Sequence, residues 1–430
     1  MIEIVDSALC SRSELLQRTL PESPAVDAAV REIIDNVVKN GDKALFEYAA
    51  RFDGAELSVL EVTKQEIDAA CAAVDDDFMV TLKTAAENIA DFHKRQLREG
   101  FRNDCGDGRI LGQRVLPLER VGIYVPGGTA SYPSTVLMNA VPAKIAGVGE
   151  IIMVTPPLRD GTIKNEILAA ARLAGVDRIF KMGGAGAVAA LAYGTESVPA
   201  VDKIVGPGNV FVATAKRMVF GKVAIDMVAG PSEILVVADG KCNPAFVAAD
   251  LLSQAEHDKL ASAVLVTDSS ELAKAVSDEL EKQIPMLSRA EIARVSIDNN
   301  GKIIIVDSID EAIEIANEFA PEHLELCVDE PMELLDKVKN AGSVFLGRYC
   351  PEALGDYFAG PNHTLPTSGT ARFASPLGVD DFVKRTSFIY YTEDALSKVS
   401  RRIVDFAGRE GLTAHGKSVS IRFEKENGGK

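Results

Sequence analysis

The 430-residue chain is short of positive charge, of histidine and of cysteine. Its 46 Lys and Arg stand against 63 Asp and Glu, a formal charge of −17, with five His and six Cys. The shortage of basic residues argues against a nucleic-acid partner, because so acidic a chain repels phosphate backbones unless it gathers a local basic patch. The charge itself reads as solubility. No C-x-x-C pair occurs among Cys10, Cys71, Cys105, Cys242, Cys327 and Cys350, and none of them neighbours a histidine. They read as reduced, mostly buried thiols of a cytoplasmic protein, not as a disulfide framework. A membrane span is not expected either. The longest uncharged stretch, residues 121–143, is broken by Pro126, Pro133 and Pro142 and by Gly122, Gly127 and Gly128. The opening Met-Ile-Glu-Ile-Val-Asp lacks a basic and an apolar signal region, so no secretory signal is expected. No Walker-type phosphate loop occurs, which disfavours a P-loop nucleotidase. What is present is 47 % hydrophobic and 25 % charged content, too apolar for intrinsic disorder. The length suggests about two or three domains.

The first hundred residues carry helical periodicity. Val26, Ala29, Val30, Ile33, Ile34, Val37 and Val38 recur at helical spacing, and Asn40-Gly41 ends that helix. A second long helical pattern covers residues 76–99. After residue 109, β-rich runs alternate with helical stretches. Strands at 121–125, 151–155, 178–182 and 203–205 precede helices at 136–145, 163–173, 185–193 and 209–220. A second series places strands at 234–238, 263–267, 302–306, 324–328 and 343–346. This alternation predicts an α/β protein of two doubly wound Rossmann-like domains with parallel sheets. A mainly helical C-terminal tail follows, with its helix at 395–408. In such sheets ligands sit beyond the carboxyl ends of the strands. The glycine clusters fall there: Val125-Pro-Gly-Gly128, Gly183-Gly-Ala-Gly186, Gly206-Pro-Gly-Asn209 and Ala229-Gly-Pro-Ser-Glu233, with Ala359-Gly-Pro-Asn-His363 in the tail of the second series. A tight turn explains any one of them; together they predict a binding cleft.

The histidines are few enough to weigh singly. His93, within Asp91-Phe-His-Lys-Arg95, reads as a solvated surface residue. Gln254 and His257 share a face at the end of a helix that starts near Pro244, either as a polar helix terminus or as two metal ligands. Glu322-His323 stands where a helix gives way to a strand. It is either an ordinary connection or a pair of proton-transfer groups. Asp356 with His363, and Glu410 with His415, offer two further acid–imidazole pairs. Collected, Gln254, His257, Asp356 and His415 make an oxygen and nitrogen donor set suited to zinc or another divalent first-row ion. Gly184-x-Gly186-x-x-Ala189 opens a helix after a strand, as a dinucleotide fingerprint does, although only Asp202 stands near the expected acidic position.

Several ordered strings resemble the histidinol dehydrogenase family: Gly206-Pro-Gly-Asn209, Asp226-Met-Val-Ala-Gly-Pro-Ser-Glu233, Leu252-Ser-Gln-Ala-Glu-His257, Ala320-Pro-Glu-His-Leu-Glu325, Gly360-Pro-Asn-His363 and Gly411-Leu-Thr-Ala-His415. The resemblance runs from residue 25 to residue 422. It implies a zinc- and NAD-dependent enzyme that oxidises L-histidinol through L-histidinaldehyde to L-histidine, the last step of histidine biosynthesis. By resemblance, Gln254, His257, Asp356 and His415 hold one zinc per subunit, and Glu322 and His323 carry the catalysis. Ser232, His323, His363 and Glu410 contact the substrate together with the zinc ligands. Tyr124, Gly186 and Asn209 match the NAD-contacting positions, except that the family usually carries Gln where this chain has Gly186, and glycine offers only backbone. The resemblance also implies an intertwined homodimer in which Glu410 and His415 complete the partner's site.

The domain layout follows the same implication. Residues 1–20 form an N-terminal extension. Residues 21–120 and 233–377 form one discontinuous domain with the metal and catalytic residues. Residues 121–232 form an inserted NAD domain, and residues 378–430 a tail serving the partner. The competing expectations are a related dehydrogenase of another small polar alcohol such as a sulfonated diol, a zinc hydrolase with Glu322 as base, and a non-catalytic binding protein.

Overall fold

The computed structural model describes residues 1–16, 18, 24–127 and 131–424, so Gly128 of the first glycine cluster, and residues 17, 19 and 20 of the predicted extension, lie outside the described residues. In chain order, β1 (Glu3–Asp6) and α1 (Arg12–Leu15) are followed by α2 (Pro24–Asn40), α3 (Asp42–Tyr48), α4 (Lys64–Ala73) and α5 (Asp76–Lys94). Next come β2 (Phe101–Asp104) and β3 (Arg109–Pro117). The first βα series is β4 (Arg120–Tyr124), α6 (Pro133–Ala146), β5 (Glu150–Thr155), α7 (Asn165–Ala174), β6 (Arg178–Lys181), α8 (Gly184–Tyr193), β7 (Lys203–Val205), α9 (Val210–Val219) and β8 (Ala224–Ile225). The second opens with β9 (Glu233–Ala238), α10 (Pro244–Ala255), β10 (Ser262–Thr267), α11 (Ser270–Gln283), α12 (Ala290–Asn300) and β11 (Lys302–Ile305). It continues with α13 (Ile309–Phe319), β12 (His323–Cys327), α14 (Pro331–Leu334), β13 (Ser343–Leu346) and α15 (Glu352–Tyr357). β14 (Val383–Tyr391), α16 (Glu393–Arg409) and α17 (Thr413–Ser420) close the chain.

The chain divides into two compact units, Met1–Leu97 with Leu118–Phe382, and Arg98–Pro117 with Val383–Lys430. The first unit holds two parallel sheets, ordered β6-β5-β4-β7-β8 and β1-β11-β10-β9-β12-β13. Each βα series starts at an inner strand, β4 or β9, and winds outward in both directions, as predicted for a doubly wound fold. The strand order reverses between β4 and β7 in one sheet and between β9 and β12 in the other. β9 is buried along its whole length, as a central parallel strand covered on both faces must be.

The predicted layout needs three corrections. Residues 3–6 are no mere extension: β1 pairs in parallel with β11, from Glu3↔Lys302 to Asp6↔Ile305. One isolated four-residue strand has no alternation to announce it. The early helices do not share a core with the second series. Val30, Ile34, Val37, Leu45 and Tyr48 pack with Tyr124, Phe180, Leu191 and Val212, and Leu82, Ala85 and Ile89 with Val121, Val136 and Ala140. They therefore cover the first sheet. Amphipathic spacing tells that a helix has an apolar face, not which sheet meets it. Finally, the C-terminal tail enters as a strand. β14 pairs antiparallel with β3, from Val383↔Pro117 to Tyr391↔Arg109, and β3 with β2. The predicted tail helix is α16.

His93 is also corrected, from surface to core. Its side chain is fully buried on the face of α5 that carries Leu82, Ala85 and Ile89, while Asp91, Lys94 and Arg95 around it are exposed. Its Nδ1 lies 2.8 Å from Gln96 Oε1, which also accepts the Val379 N–H at 3.0 Å. Burial holds the imidazole below its ordinary range, against the Gln96 contact. The unfolded chain therefore takes up a proton, near about pH 6.5, that the folded chain does not. This contribution to stability is present above that pH and is lost as pH falls below it. From about pH 7.5 to about pH 5, urea unfolding should show the unsubstituted protein losing stability relative to His93→Leu. Parallel curves for the two proteins would contradict the assignment.

Candidate active site

The amino end of the second sheet carries the acid–imidazole pair. α13 ends at Phe319, and Ala320 closes it in the left-handed region at φ +50°. Pro321 then turns the chain into β12. The parallel register of β12 on β9 sets His323 opposite Ile234, so the peptide of Glu233 lies beside both catalytic candidates. The Glu233 N–H donates to Glu322 Oε2 at 2.9 Å. The Glu233 carbonyl oxygen stands 2.9 Å from His323 Nδ1. A carbonyl oxygen only accepts, so Nδ1 carries the proton and Nε2 presents its lone pair. The Glu233 carboxylate in turn pairs with Arg18, Nε to Oε1 at 2.7 Å. Arg18 also donates to the Phe319 carbonyl at 2.6 Å and lies 3.8 Å above the Phe319 ring.

Burial dominates the electrostatics here. It pushes the Glu322 carboxyl well above the ordinary carboxylate range, a rise that the Glu233 N–H opposes and the charges of Glu233, Asp356 and Glu352 reinforce. Burial raises Glu233 to about 7 against the pull of Arg18. The same effect holds His323 below the imidazole range, opposed by Glu352, and pushes His363 down to about 4. His323 is thus a neutral base with its Nε2 available.

Facing that nitrogen is Glu352, the first residue of α15, with Oε1 at 3.6 Å. Ligand atoms of His323, Glu352 and Asp356 lie within 4.8 Å of one another. His363 joins them, its Nδ1 3.1 Å from the Asp356 carbonyl oxygen. From α10, the Ser253 hydroxyl donates to Glu352 Oε2 at 3.1 Å. Gln254 beside it is buried with its amide nitrogen unpartnered. His257 follows at the helix end, its imidazole held down by burial and raised in part by Glu352. Ser232 precedes β9 and anchors it through its carbonyl, which accepts the Ser262 N–H at 2.9 Å. Neutral imidazoles, buried carboxylates and an orphaned amide in one pocket suit a divalent cation, and Gln254, His257 and Asp356 supply the oxygen and nitrogen donors that zinc accepts. Glu410 and His415 lie in the second unit, both exposed, beside an apolar groove of Val399, Ile403, Phe406 and Leu412.

The expectation that ligands collect at carboxyl strand ends is corrected for this sheet. Glu233 and His323 begin their strands, and Ser343 begins β13. At the carboxyl ends of β9 and β12, Arg348 pairs with Asp239 and Asp329, each at 2.7 Å, and Lys241 pairs with Asp329. Ion pairs occupy that crevice instead.

The first sheet is built differently at its strand ends. Tyr124 ends β4 and Gly206 follows β7, on either side of the strand-order reversal. The Tyr124 hydroxyl accepts the Gly184 N–H at 3.0 Å, and burial raises it to about 12. Gly206 sits at φ +107°, where a Cβ would stand 2.2 Å from the Tyr124 carbonyl oxygen. Its N–H donates to Asp226 Oδ2 at 2.8 Å and its carbonyl accepts from Lys216 Nζ at 2.9 Å. Lys216 and Asp226 form a buried ion pair behind the loop. Asn209 caps α9, its Oδ1 accepting from Phe211 and Val212 at 3.1 and 3.2 Å. Gly186 is buried inside α8, and a Cβ there would stand 3.1 Å from the Tyr48 ring. A glutamine at this position would begin its side chain against α3.

Sequence reasoning missed Arg18, Glu233, Glu352 and the Lys216–Asp226 pair. Glu352 had a signal, since Glu352 and Asp356 are four apart in one helix and so share a face. The other three are joined only by the tertiary fold. Lys216→Met leaves the Asp226 carboxylate buried without its cation. Urea unfolding should show a loss of about 3–5 kcal/mol, and a loss below about 1 kcal/mol would contradict the pairing.

The chain also matches known proteins. The histidinol dehydrogenase family profile covers residues 16–423. Histidinol dehydrogenase of Clostridium acetobutylicum is 58 % identical over 410 residues, 95 % of each chain. That of Listeria monocytogenes is 57 % identical over 402 residues, 94 % of each chain. The crystal structure of histidinol dehydrogenase from Elizabethkingia anophelis superposes with a TM-score of 0.93 at 39 % identity, covering 98 % of each chain. The fold and these matches define an NAD-dependent oxidoreductase of doubly wound α/β architecture. Within that class, the chain belongs to the histidinol dehydrogenase family.

Proposed function

We propose that the protein oxidises L-histidinol to L-histidine through L-histidinaldehyde, a four-electron oxidation using two NAD and one zinc per subunit, the last step of histidine biosynthesis. The observation that carries this reading is that the backbone of one residue, Glu233, holds both Glu322 and His323 in place, its N–H on the first and its carbonyl on the second. Gln254, His257 and Asp356 would hold zinc together with His415 of a second copy, and zinc when bound would orient the imidazole and amine of the substrate. NAD would lie at the β4/β7 reversal, against Tyr124, Asn209 and the backbone of Gly186, and would take up the hydride in both halves.

The chain's own groups supply the proton transfers. His323 Nε2 accepts the hydroxyl proton, which its bond from Nδ1 to Glu233 leaves it free to do. Glu322, whose carboxyl burial pushes well above the ordinary carboxylate range, accepts a proton from the water that attacks the aldehyde carbon. His323 acts again as the resulting hydrate is oxidised. Ser232, His363 and Glu410 line the substrate beside the metal ligands. The homodimer in this reading shares its sites, each tail giving Glu410 and His415 to the other copy. A reducing cytoplasm agrees with six free cysteines. No helix of the described residues is long and apolar enough to cross a membrane.

The test is the NADH formed per histidinol consumed. Two supports the reading, one points to a simple alcohol dehydrogenase, and none refutes it. Glu322→Gln should slow aldehyde oxidation by about 10²–10⁴-fold, the usual range for losing a general base. Alcohol oxidation should suffer less, and equal losses in both halves would count against the assigned role.

A further inference from the structure

We propose that Glu352 belongs to the divalent-cation centre and supplies, with Asp356, the negative charge that holds the ion. The proposal rests on the zinc reading above and adds a residue that the resemblance to the family does not assign. Glu352 is 2 % exposed. Its Oε2 takes the Ser253 hydroxyl, and its Oε1 is buried with no hydrogen-bond partner. A buried carboxylate oxygen without a donor is costly, and a neighbour normally meets it. His323 cannot do so. Its one N–H is committed to the Glu233 carbonyl, so the atom it turns toward Glu352, at 3.6 Å, is a lone pair. Two electron-rich atoms face each other with Asp356 beside them, all within 4.8 Å.

The rest of the pocket points the same way. Glu352 is a charged neighbour common to His257, His323, His363 and Asp356, which come from three stretches of chain. Gln254 and His257 are neutral donors, which leaves Asp356 as the single charge offered to a dication by the donors of this pocket. Glu352 makes the count two, which matches the charge of the ion. Arg18 is committed to Glu233 and the Phe319 carbonyl, and Arg289, beside His257, donates to the His257 carbonyl at 3.3 Å.

The experiment measures zinc affinity of the metal-stripped full-length protein by competition with a chromophoric chelator, for the unsubstituted chain, Glu352→Gln and His257→Ala. Glu352→Gln preserves shape and removes charge, and should weaken zinc by about 10–100-fold. Its metal-free melting temperature checks that the fold is intact. Unchanged affinity in Glu352→Gln, with zinc lost from His257→Ala, overturns the proposal and leaves the zinc reading standing. An unsubstituted chain that binds no zinc overturns both. If Glu352→Gln fails to fold, Glu352→Asp takes its place, keeping the charge and withdrawing the oxygen by one methylene. Weakened affinity there supports the proposal and unchanged affinity overturns it.

Discussion

Glu233 is the residue on which the amino end of the second sheet hangs. Its N–H fixes Glu322, its carbonyl fixes the tautomer of His323, and its side chain anchors Arg18 from the start of the chain. The first two contacts follow from the parallel register of β12 on β9, adjacent inner strands of a six-stranded sheet. A slip of one residue would turn His323 to the opposite face of the sheet. The base is therefore oriented by the sheet ladder itself, which is among the most rigid mountings a protein offers.

That rigidity comes with an electrostatic debt. Glu322, Glu352, Glu233 and Glu325 are buried together near His323, and desolvation raises Glu322, Glu233 and Glu325 above the ordinary range. Arg18 answers Glu233. Glu325 is met by the Glu352 N–H at 2.8 Å and by Asp250. Glu352 keeps an oxygen with no answer, and Gln254 an amide nitrogen. A core assembled for stability alone would not leave these groups so. Unmet buried groups of this kind are what a site for a charged ligand looks like from the protein side.

Much of the fold was legible in the sequence because its signals are local. Each β-rich run of the two series became a strand within a residue or two, since buried parallel strands read as continuous apolar runs. What was not legible was partnership. The apolar face of α2 was clear, but only the fold shows it meeting the first sheet. His93 was misread because charged neighbours outweighed its place one turn beyond Ile89, on the buried face. In the candidate site, Glu322 and His323 were legible by adjacency, and Gln254 and His257 by helical spacing. Glu233 and Arg18 were not, because 215 positions separate them in the chain. Residue type and spacing can nominate a base, but they cannot say which peptide will hold it.

The two sheets use opposite ends, and the loops explain why. At the β4/β7 reversal the connections are rich in glycine, and Gly206 comes so close to Tyr124 that any side chain would collide with its carbonyl. At the amino end of the second sheet the connections are short and stiff. Pro231 precedes Ser232 and Glu233, and Pro321 precedes Glu322 and His323. Gly342 packs so tightly that a Cβ would stand 2.5 Å from the Glu322 carbonyl oxygen. There the Gly342 and Ser343 N–H groups bond to the carbonyls of Pro321 and Glu322 at 2.9 Å each, leaving the catalytic turn no freedom. At the other end of that sheet, Arg348 and its two aspartates already fill the reversal crevice. With that crevice closed by ion pairs, Glu322 and His323 stand at the end of the sheet where short proline turns and backbone bonds hold the chain, and the open reversal is that of the first sheet.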